Sequence, residues 1–569
     1  MAGFIQAIAV DLDGTIAHGT ALDGDALVAL AECRAAGTAV LLVTGRIEAE
    51  LLRDFPELLE QFDAAVLENG AVLLIEGRRT LTKALDPSLA PHLQEREIPI
   101  RQGAAILACP GEDAQSVLDV ISELGLDAQL VHNRSELMVL PAGVSKGTGM
   151  RAALTELDIS VHNTIAIGDA ENDLSLLADA EVAVAAHGAV DSVRRAADLV
   201  LTDRPGERLA DLLRGPVVAG AQAVHSTRRA LTIGTADDGT VVSVPGAQAG
   251  ILVCGESGHG KSHLTGLLVE RWIEAGYTVL VIDPEGDHAS LAALHRTVLI
   301  RPEETVPADD HLLQLLSHQS VSVVLDLSGM PAQQLRAYLE AVALAVESLR
   351  AQYGLPHWIV VDEAHGVLDE DGWLAHIFRP SGGGYCYVTH RPELLCTAAR
   401  STIDVTVTAL GSGLSDGRGM SASAVLRVRG APDRVFTPDP RDTKHVRHRT
   451  KYQQVALPER ARFRFRDGAG HVIATATTVA DFVSDLRSVP DESIVHHALR
   501  GDFSRWAVGA LQDRVLGSLL SARETDLAAR IGAGAADFRD RAGSDLARRY
   551  GYDDHPVGPA HPIEMEPAS

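Results

Sequence analysis

Strand-length apolar runs alternate with helical patterns along the first third of the chain. These runs lie at residues 4–10, 39–43, 104–108, 127–131, 136–140 and 164–168. Short apolar runs separated by segments of helical period are typical of a sheet whose strands are joined by helices. The pattern therefore predicts a parallel α/β domain with an inserted module.

A second alternating series begins near residue 230, after glycine- and proline-containing stretches at 204–206 and 214–216 that mark a boundary. It predicts a second α/β domain. Beyond about residue 440 we expect a basic stretch, a short β segment near 461–475, helical sequence from 479 to about 549 and a loose tail. The apolar runs of the second series lie at residues 250–254, 277–282, 321–327, 358–361, 385–389 and 404–410.

Length and composition are those of a multidomain globular protein. At roughly 150 residues per domain, 569 residues correspond to about three to four domains. Apolar residues make up 46% and charged residues 22%, and no window approaches the roughly 20 apolar residues that a membrane span needs. The first apolar run leads directly into acidic residues, which indicates a strand rather than a secretion signal. Five widely spaced cysteines suit reduced core thiols, so we expect a cytoplasmic protein.

The net charge of −27 disfavours a general role in binding polyanions. The charge is uneven, however, because residues 441–466 contain nine Lys or Arg against two acids. Within this stretch Arg and Phe alternate from Arg462 to Arg466. One interpretation is a strand with Phe inward and Arg outward, and the other is an edge that contacts phosphate or nucleic acid. Nucleic acid is thus a disfavoured partner that stays open.

Four polar stations follow apolar segments of the first domain. They are Asp11-Leu12-Asp13-Gly14-Thr15, Thr44-Gly45-Arg46, Lys146 and the stretch from Gly168 to Asp173. Ligands of open α/β sheets bind at the carboxyl ends of the strands, where the chain turns. Carboxylates, a hydroxyl and a lysine gathered there would form an oxygen-lined site suited to Mg²⁺ and a phosphate group.

In this order, the four stations resemble the haloacid dehalogenase (HAD) superfamily over about residues 4–205. The sequence Glu68-Asn69-Gly70-Ala71 is similar to the Cof-type, sugar-phosphatase branch. The resemblance implies a Rossmann-like core with an α/β cap over about residues 72–140. It also implies that Asp11 is the nucleophile that forms an aspartyl-phosphate and that Asp13 is the general acid and base. By the same resemblance Thr44 and Lys146 hold the phosphoryl group, and Mg²⁺ is bound by Asp11, Asp13 through its carbonyl, Asp169 and Asp173, with support from Asn172.

The second domain contains a complete P-loop pattern, Gly-Glu-Ser-Gly-His-Gly-Lys-Ser, at residues 255–262. It lies between an apolar strand and an apolar helix, the context in which backbone amides wrap the phosphates of ATP. Lys261 would reach the β- and γ-phosphates, and Ser262 would bind Mg²⁺. The residues expected to contact the nucleotide are Gly255, Ser257, Gly258, His259, Gly260, Lys261, Ser262, His263 and Asp362.

The strand at residues 358–361 ends in Asp362 and Glu363. We expect Asp362 to hold Mg²⁺ through water and Glu363 to orient the attacking water as the catalytic residue. Asp326 also follows an apolar strand, but no second acid comes after it. We therefore rank it below Asp362 as the residue that holds Mg²⁺. The order of the runs predicts two strands between the P-loop strand and the Asp362 strand, which indicates the RecA-like division.

The sequence from Val279 to Asp287, together with Thr389-His390-Arg391-Pro392, resembles HerA-type ATPases over about residues 230–430. The resemblance implies that Asp283, Glu285 and Asp287 lie beside the nucleotide, unless they form only a solvated turn. Thr389 or His390 would sense the γ-phosphate, and Arg379 and Arg391 are candidate arginine fingers. HerA-type relatives are hexameric DNA translocases, so the resemblance leaves a homo-oligomer open.

The sequence thus predicts a phosphatase domain at 1–205, a P-loop ATPase domain at 216–440, a basic β connector at 441–475 and a small, mainly helical C-terminal domain at 476–569. The leading hypothesis is a bifunctional enzyme that hydrolyses a small phosphorylated metabolite, such as a sugar phosphate or phosphoglycolate, and also hydrolyses ATP. One alternative is a HerA-like motor or defence-type protein acting on nucleic acid. The other is an ATP-dependent sensor with little phosphatase turnover. Mg²⁺ and ATP are the expected cofactors.

Overall fold

The computed structural model shows two compact units, Met1–Val446 and Arg447–Ser569. No helix in the described parts of the chain has the length and apolar character needed to cross a membrane. The domain boundaries expected from the sequence stay predictions. The structure describes residues 4–133, 135–256, 259–302, 310–328, 330, 332–368, 383–412, 422–443, 457, 459–511, 513–529 and 534–550.

The first part of the first unit contains an eight-stranded sheet and a four-stranded sheet. The larger sheet has the order β14-β13-β12-β1-β4-β5-β6-β7, parallel from β14 to β5, with β6 and β7 added antiparallel. The smaller sheet, β10-β11-β9-β8, is antiparallel and belongs to the inserted module. The strands are β1 Ala7–Val10, β2 Ala17–His18, β3 Ala21–Leu22, β4 Ala39–Val43, β5 Ala64–Leu67, β6 Val72–Leu74, β7 Arg78–Thr80, β8 Arg101–Gln102, β9 Leu107–Pro110, β10 Ala128–Asn133, β11 Glu136–Pro141, β12 Thr164–Gly168, β13 Val182–Ala185 and β14 Leu199–Val200.

The central strands of the larger sheet are buried along their whole length. Parallel strands covered by helices on both faces read as continuous apolar runs for this reason. Two clusters of buried apolar side chains lie on the two faces of the sheet. The helices of this part are α1 Gly24–Ala35, α2 Glu48–Asp54, α3 Leu89–Glu95, α4 Ala114–Leu124, α5 Lys146–Glu156, α6 Leu174–Asp179, α7 Asp191–Ala196 and α8 Leu209–Leu213.

The second part of the first unit is built on an eleven-stranded sheet of order β16-β15-β25-β24-β23-β17-β22-β21-β18-β20-β19. The strands from β23 to β19 are parallel, and the others are antiparallel. The strands are β15 Leu231–Ala236, β16 Val241–Val244, β17 Gly250–Cys254, β18 Val279–Asp283, β19 Thr297–Ile300, β20 Ser322–Asp326, β21 Trp358–Val361, β22 Tyr385–Thr389, β23 Val405–Ser412, β24 Ala422–Val428 and β25 Arg434–Pro438; the helices are α9 Lys261–Glu274, α10 Asp310–Ser317, α11 Ala332–Tyr353 and α12 Thr397–Ser401.

The order of this sheet corrects one prediction from the sequence. The P-loop strand β17 is separated from the Asp362 strand β21 by one strand, β22, and not by two. Sequence order could not reveal this, because β22 follows β21 in the chain yet inserts between it and β17. One strand still lies between the P-loop strand and the Asp362 strand. This arrangement is the basis for assigning the domain to the RecA-like division.

Buried polar side chains join the two parts of the first unit. His162 Nδ1 lies 2.9 Å from Glu181 Oε2, and the Tyr277 hydroxyl donates to the same oxygen at 2.9 Å. The His162 and Tyr277 rings stack with centroids 3.8 Å apart. His357 Nε2 lies 3.1 Å from Asn163 Oδ1. Buried groups with their hydrogen bonds made hold a specific arrangement, because separating them would leave polar atoms unpaired.

The second unit pairs a β hairpin with helices. Strands β26 Phe463–Arg466 and β27 Val472–Ala476 are antiparallel. Phe463 and Phe465 are buried while Arg464 is exposed, which confirms the interpretation of a strand with Phe inward and Arg outward. The helices span Val479–Ser488, Asp491–Ala498, Asp502–Gly509, Arg514–Ala529 and Gly534–Tyr550.

Candidate active sites

The carboxyl ends of β1, β12 and β4 lie side by side at one edge of the first large sheet. Asp11 follows β1, Asp169 follows β12, and Thr44 follows β4. Register brings Val10 opposite Ile167 on one side and Leu42 on the other, so the residues that follow emerge together. Three of the four stations predicted from the sequence therefore meet at this edge.

Lys146, at the start of α5, brings the fourth station into the same site. Its Nζ donates to Asp11 Oδ1 at 2.5 Å and to Asp173 Oδ1 at 2.6 Å, and all three side chains are buried. Burial would lower the pKa of Lys146, but the charges of Asp11 and Asp173 outweigh it and raise that pKa. Burial, with repulsion from Asp173, raises the pKa of Asp11 even though Lys146 opposes the shift. A buried ammonium is thus held against the predicted nucleophile.

Three carboxylates form the metal-binding part of this site. Single carboxylate oxygens of Asp11, Asp169 and Asp173 all lie within 4.8 Å of one another. Asn172 Oδ1 is buried nearby without a hydrogen-bond partner in the described part of the chain. Hard oxygen donors of this kind are the ligands that Mg²⁺ takes in proteins. The residues present therefore fit a magnesium ion.

Asp13 is held differently from the other acids. Arg46 donates to both of its oxygens, from Nε at 2.8 Å to Oδ2 and from Nη2 at 2.6 Å to Oδ1. The Asp13 side chain is 37% exposed, so it faces the open side of the site. A bidentate guanidinium fixes the plane of a carboxylate. The role of the Arg46 side chain was not predicted from the sequence, because its pairing with Asp13 spans 33 residues.

Thr44 is fully buried beneath this turn. Its Oγ1 accepts a hydrogen bond from the Arg46 amide at 3.2 Å, and the Asn69 amide donates to its carbonyl at 3.1 Å. The contact with Asn69 ties the turn to the Glu68-Asn69-Gly70 segment. The predicted phosphate-binding hydroxyl thus sits in a turn that is fixed on both sides.

Gly14 lies against the carboxylate of Asp169. It has φ +87°, and a Cβ built there would approach Asp169 Oδ2 to 2.3 Å. Gly14→Ala should therefore displace Asp169 and force a left-handed alanine, which costs roughly 1–2 kcal/mol. We expect kcat/KM for an aryl phosphate to fall at least about tenfold. Gly37→Ala is the matched control, because Gly37 has φ +98° but nothing within 4 Å of its Cβ position. Equal losses in both variants would contradict the role given to Asp169.

A cleft of about 600 Å³ opens over Asp13 between the large sheet and the inserted module. The sheet side includes Gly45 and Arg46. The inserted module contributes residues from its own strands and the turn between β10 and β11. These are Arg101, Ala108, Asn133, Ser135, Glu136 and Met138.

The P-loop follows β17 and ends at the start of α9. Gly255 has φ +142°, and its Cβ would lie 2.6 Å from the Ala409 carbonyl oxygen. Gly260 has φ +106° and is the N-cap residue of α9, which begins at Lys261. Both positions require glycine. Ser257 and Gly258 lie outside the described residues.

The side chains around the P-loop contact its own backbone and the neighbouring strand ends. Lys261 Nζ donates to the Glu256 carbonyl at 3.4 Å, and Ser262 Oγ lies 3.3 Å from Asp287 Oδ2. His259 Nε2 lies 3.5 Å from Glu256 Oε2. His263 is directed instead toward the carbonyl of Asp439, at 3.2 Å. The described residues that were predicted to contact the nucleotide thus lie close together around the P-loop. The His263 side chain is the exception, because it is directed toward Asp439.

Asp362 lies in a buried network of acids and one histidine. His288 Nε2 is 3.2 Å from Asp362 Oδ2, and His288 itself is fully buried. Burial would lower the pKa of His288, but the bond to Asp362 and the nearby acids raise it to about 9. Asp283 accepts the amides of Gly286, Asp287 and His288, so the acidic run is a hydrogen-bonded turn and not a solvated one. His288 was missed, because nothing in its local sequence indicates a partner 74 residues away.

Asp326, the alternative to Asp362, has a carboxylate that is paired with other residues. Arg301 Nε donates to Asp326 Oδ2 at 2.8 Å, and Ser328 donates to Oδ1. Its strand β20 is separated from β21 by β18. The strand that ends in Asp362 therefore lies nearer to the P-loop strand than the strand that ends in Asp326.

Glu363 lies between two histidines at the ends of β21 and β22. Its Oε2 is 3.3 Å from His365 Nδ1 and 3.2 Å from His390 Nδ1. Thr389 Oγ1 lies 3.0 Å from His365 Nδ1, and Thr389 pairs in register with Cys254, the residue just before the P-loop. The expected catalytic acid and the two expected γ-phosphate sensors thus converge beside the P-loop. Arg379 lies outside the described residues.

Arg441 is not part of an exposed basic edge. Its side chain is 2% exposed, and its Nε donates to the fully buried Glu270 on α9 at 3.1 Å. Its Nη1 donates to the Ser262 carbonyl at 3.1 Å. Arg441 therefore braces the P-loop helix and is unavailable to nucleic acid. Most of the basic stretch, 444–456 and 458, lies outside the described residues.

Comparisons with known proteins agree with the two sites. Residues 111–210 match the family model of haloacid dehalogenase-like hydrolases, and residues 248–352 match that of the central domain of helicase HerA. The chain is 28% identical over 219 residues to a phosphoglycolate phosphatase of Methanothermobacter thermautotrophicus, covering 37% of this chain and 98% of the relative. It is 27% identical over 227 residues to a phosphoglycolate phosphatase of Archaeoglobus fulgidus, covering 37% and 96%. A solved haloacid dehalogenase-like hydrolase from Bacteroides thetaiotaomicron covers 37% of this chain and 98% of its own, at 20% identity and TM-score 0.33.

The chain is an enzyme that combines two classes of catalytic domain. Its first part is a haloacid dehalogenase-type hydrolase domain of the phosphoric monoester hydrolase class. Its second part is a HerA-type P-loop domain of the ATPase class. The family resemblances and the fold class predicted from the sequence are confirmed, including the helical C-terminal region.

Proposed function

We propose that this protein is a bifunctional enzyme. One activity is the magnesium-dependent hydrolysis of a small phosphate ester through an aspartyl-phosphate at Asp11. The other is the binding and hydrolysis of ATP at the P-loop. The observation that carries the first activity is the convergence of Asp11, Lys146, Asp169 and Asp173 beneath the cleft. We assign the phosphatase to residues 1–205 and the ATPase to 216–440.

The proposed phosphatase chemistry divides one difficult hydrolysis into two steps. An oxygen of Asp11 attacks phosphorus, and the bond from phosphorus to the leaving oxygen breaks. Asp13 donates a proton to that oxygen and then takes a proton from the water that hydrolyses the aspartyl-phosphate. Lys146 and Thr44 hold the phosphoryl oxygens. Magnesium held by Asp11, Asp169 and Asp173 would supply positive charge against the phosphate dianion.

The fixed geometry of Asp13 supports this division of roles. Its carboxylate is oriented by Arg46 and is partly exposed to the cleft, where a leaving group and a water must be reached. Asp11 is buried beneath it. A general acid that is held in place contributes typically 10²–10⁴-fold to the rate, and Arg46 would act by positioning it.

The charges of the cleft favour a sugar phosphate over phosphoglycolate. The described lining contains four acids, Asp13, Glu50, Asp54 and Glu136, and three arginines. Each arginine is paired with at least one of these acids: Arg46 with Asp13 and Asp54, Arg53 with Asp54, and Arg101 with Glu50 and Glu136. A second carboxylate in the substrate would meet cations that are already neutralised. Sugar hydroxyls, in contrast, can donate to the acids.

A panel of phosphate esters tests the proposal. With Mg²⁺ present, we expect kcat/KM for the best hexose or pentose phosphate to exceed that for phosphoglycolate at least about tenfold, a difference of about 1.4 kcal/mol. Running the panel with and without ATP shows whether the two sites are coupled. A higher kcat/KM for phosphoglycolate would contradict only the proposed substrate class. If neither the esters nor an aryl phosphate released phosphate, the proposed phosphatase activity itself would be contradicted.

A second candidate function is a HerA-like motor acting on nucleic acid, favoured by the match to the HerA central domain. It predicts ATP hydrolysis stimulated by DNA and weakened when exposed basic residues such as Arg464 are neutralised. ATP binding without appreciable phosphatase turnover would instead support the sensor hypothesis. The net charge of −27 weighs against the motor.

A further inference from the structure

Two histidines and one glutamate lie close together outside the phosphatase site. Each of Glu363, His365 and His390 offers one ligand atom, and these three atoms lie within 4.8 Å of one another. The glutamate oxygen is 3.3 Å from the His365 nitrogen and 3.2 Å from the His390 nitrogen. The two rings meet edge to face, with centroids 4.5 Å apart.

These separations match those around a tetrahedral metal ion. Zn²⁺ binds imidazole nitrogen and carboxylate oxygen at about 2.0–2.1 Å, so neighbouring ligand atoms in a tetrahedron lie roughly 3.3 Å apart. Both measured separations that involve Glu363 are close to this value. Glu363 and either histidine are therefore spaced as two ligands of one ion would be.

All three residues lie at or just after the ends of two neighbouring strands of the sheet. Glu363 follows β21 and caps a short 3-10 turn, Ala364–Gly366, that contains His365, and His390 follows β22, the neighbouring parallel strand. Glu363 adopts a left-handed conformation with φ +46°. A non-glycine residue in that region is uncommon and is found repeatedly at functional sites.

The site is reachable by an ion and by water. The side chains of His365 and Glu363 are 18% and 19% exposed, and that of His390 is 32% exposed. An open side leaves room for a fourth ligand, as in zinc sites that keep a water.

The donor set differs in kind from that of the phosphatase site. Two imidazoles and one carboxylate suit Zn²⁺ and other first-row transition ions, whereas three carboxylates suit Mg²⁺. The only other comparable group among the described residues is the set of Asp11, Asp169 and Asp173. Excess Mg²⁺ should therefore occupy the carboxylate site and leave the histidine site to a transition metal.

We propose that Glu363, His365 and His390 form a binding site for a divalent transition metal ion such as Zn²⁺. The ion binds the carboxylate expected to orient the attacking water, so its binding inhibits ATP hydrolysis. This inhibitory consequence rests on the proposed ATPase, whereas the metal site itself rests on geometry alone.

Cobalt binding to the full chain tests the site without requiring turnover. Co²⁺ is added in excess Mg²⁺ and without nucleotide, and the visible d–d absorption of four-coordinate cobalt is followed, then its displacement by Zn²⁺. We expect one equivalent to bind, and His365→Gln or His390→Gln to weaken it at least about tenfold. His471→Gln is the matched control, because His471 is an exposed histidine that also lies 3.1 Å from a carboxylate, that of Asp467; it should leave the spectrum unchanged.

The ATPase provides a second, independent measurement. Zn²⁺ should lower the rate of ATP hydrolysis by the wild-type chain, and the ratio of rates with and without Zn²⁺ should approach one in His365→Gln. Phosphatase activity and a melting temperature equal to those of the wild-type chain would show that the variants are folded. Cobalt spectra that are absent, or that are unchanged by both histidine substitutions, overturn the metal site and would mean that the histidines only form ion pairs with Glu363. Loss of all ATP hydrolysis with the spectra as expected would overturn the proposed ATPase and leave the metal site standing.

Discussion

Replacing Asp11 with asparagine should abolish metal-dependent phosphate release from an aryl phosphate, with kcat reduced on the order of 10³-fold or more. The amide has the size of the carboxylate but is neither an anionic nucleophile nor a counter-charge for Lys146, which lies 2.5 Å away. A phosphate-release assay in Mg²⁺ measures the effect. Hydrolysis of ATP by the same sample should stay within about twofold of wild type, since that activity is assigned to a different sheet.

Two variants make the Asp11 experiment specific. Asp203→Asn makes the same chemical change at an exposed position and should keep full phosphatase activity. Lys261→Ala should lose ATP hydrolysis while it retains phosphate release from the aryl phosphate. If the Asp11→Asn variant retained more than about a tenth of the wild-type rate of phosphate release, Asp11 would not be the nucleophile.

Replacing Glu363 with glutamine should separate ATP binding from ATP hydrolysis. A glutamine can hydrogen-bond to water but cannot accept its proton, so kcat should fall by about 10²–10⁴-fold, while the Kd for ATP changes little. Single-turnover hydrolysis and nucleotide binding measured on the same preparation check both parts. Glu393→Gln, an exposed glutamate in the turn after His390, is the matched control and should behave as wild type.

The comparison with Lys261→Ala sharpens this second test. Lys261 is expected to contact the phosphates themselves, so its loss should weaken ATP binding as well as hydrolysis. If Glu363→Gln also loses binding, or if it hydrolyses ATP at the wild-type rate, Glu363 is not the residue that orients the attacking water. The phosphatase activity should be unaffected in either variant.

The residues of both candidate sites could be named from the sequence because each lies next to a local signal. Asp11, Thr44 and Asp169 follow apolar strands, and parallel strands bring their carboxyl ends to one edge of a sheet. The P-loop glycines likewise combine a strand, a turn and a helix start within one short stretch. Their roles remain predictions, although the structure brings Asp11, Lys146 and Asp169 into one site, as the sequence had led us to expect.

The residues that hold these groups in place were not evident in the sequence. Arg46 orients Asp13, His288 supports Asp362, and Arg441 pairs with Glu270 behind the P-loop. Each contact joins residues from 33 to 171 positions apart. Composition even suggested the wrong surroundings for Arg441, since a basic stretch normally indicates an exposed face.

The sequence by itself determined which elements form and which side chains are candidates for the chemistry, because strand and helix periodicity, glycine-dependent turns and motif spacing act over short distances along the chain. Only the tertiary structure decided the neighbours. It inserted β22 between β17 and β21, buried Arg441, joined the two large sheets through His162 and Tyr277, and brought His390 to Glu363. These outcomes depend on how whole sheets pair and pack, and local patterns carry little information about partners that are distant in the chain.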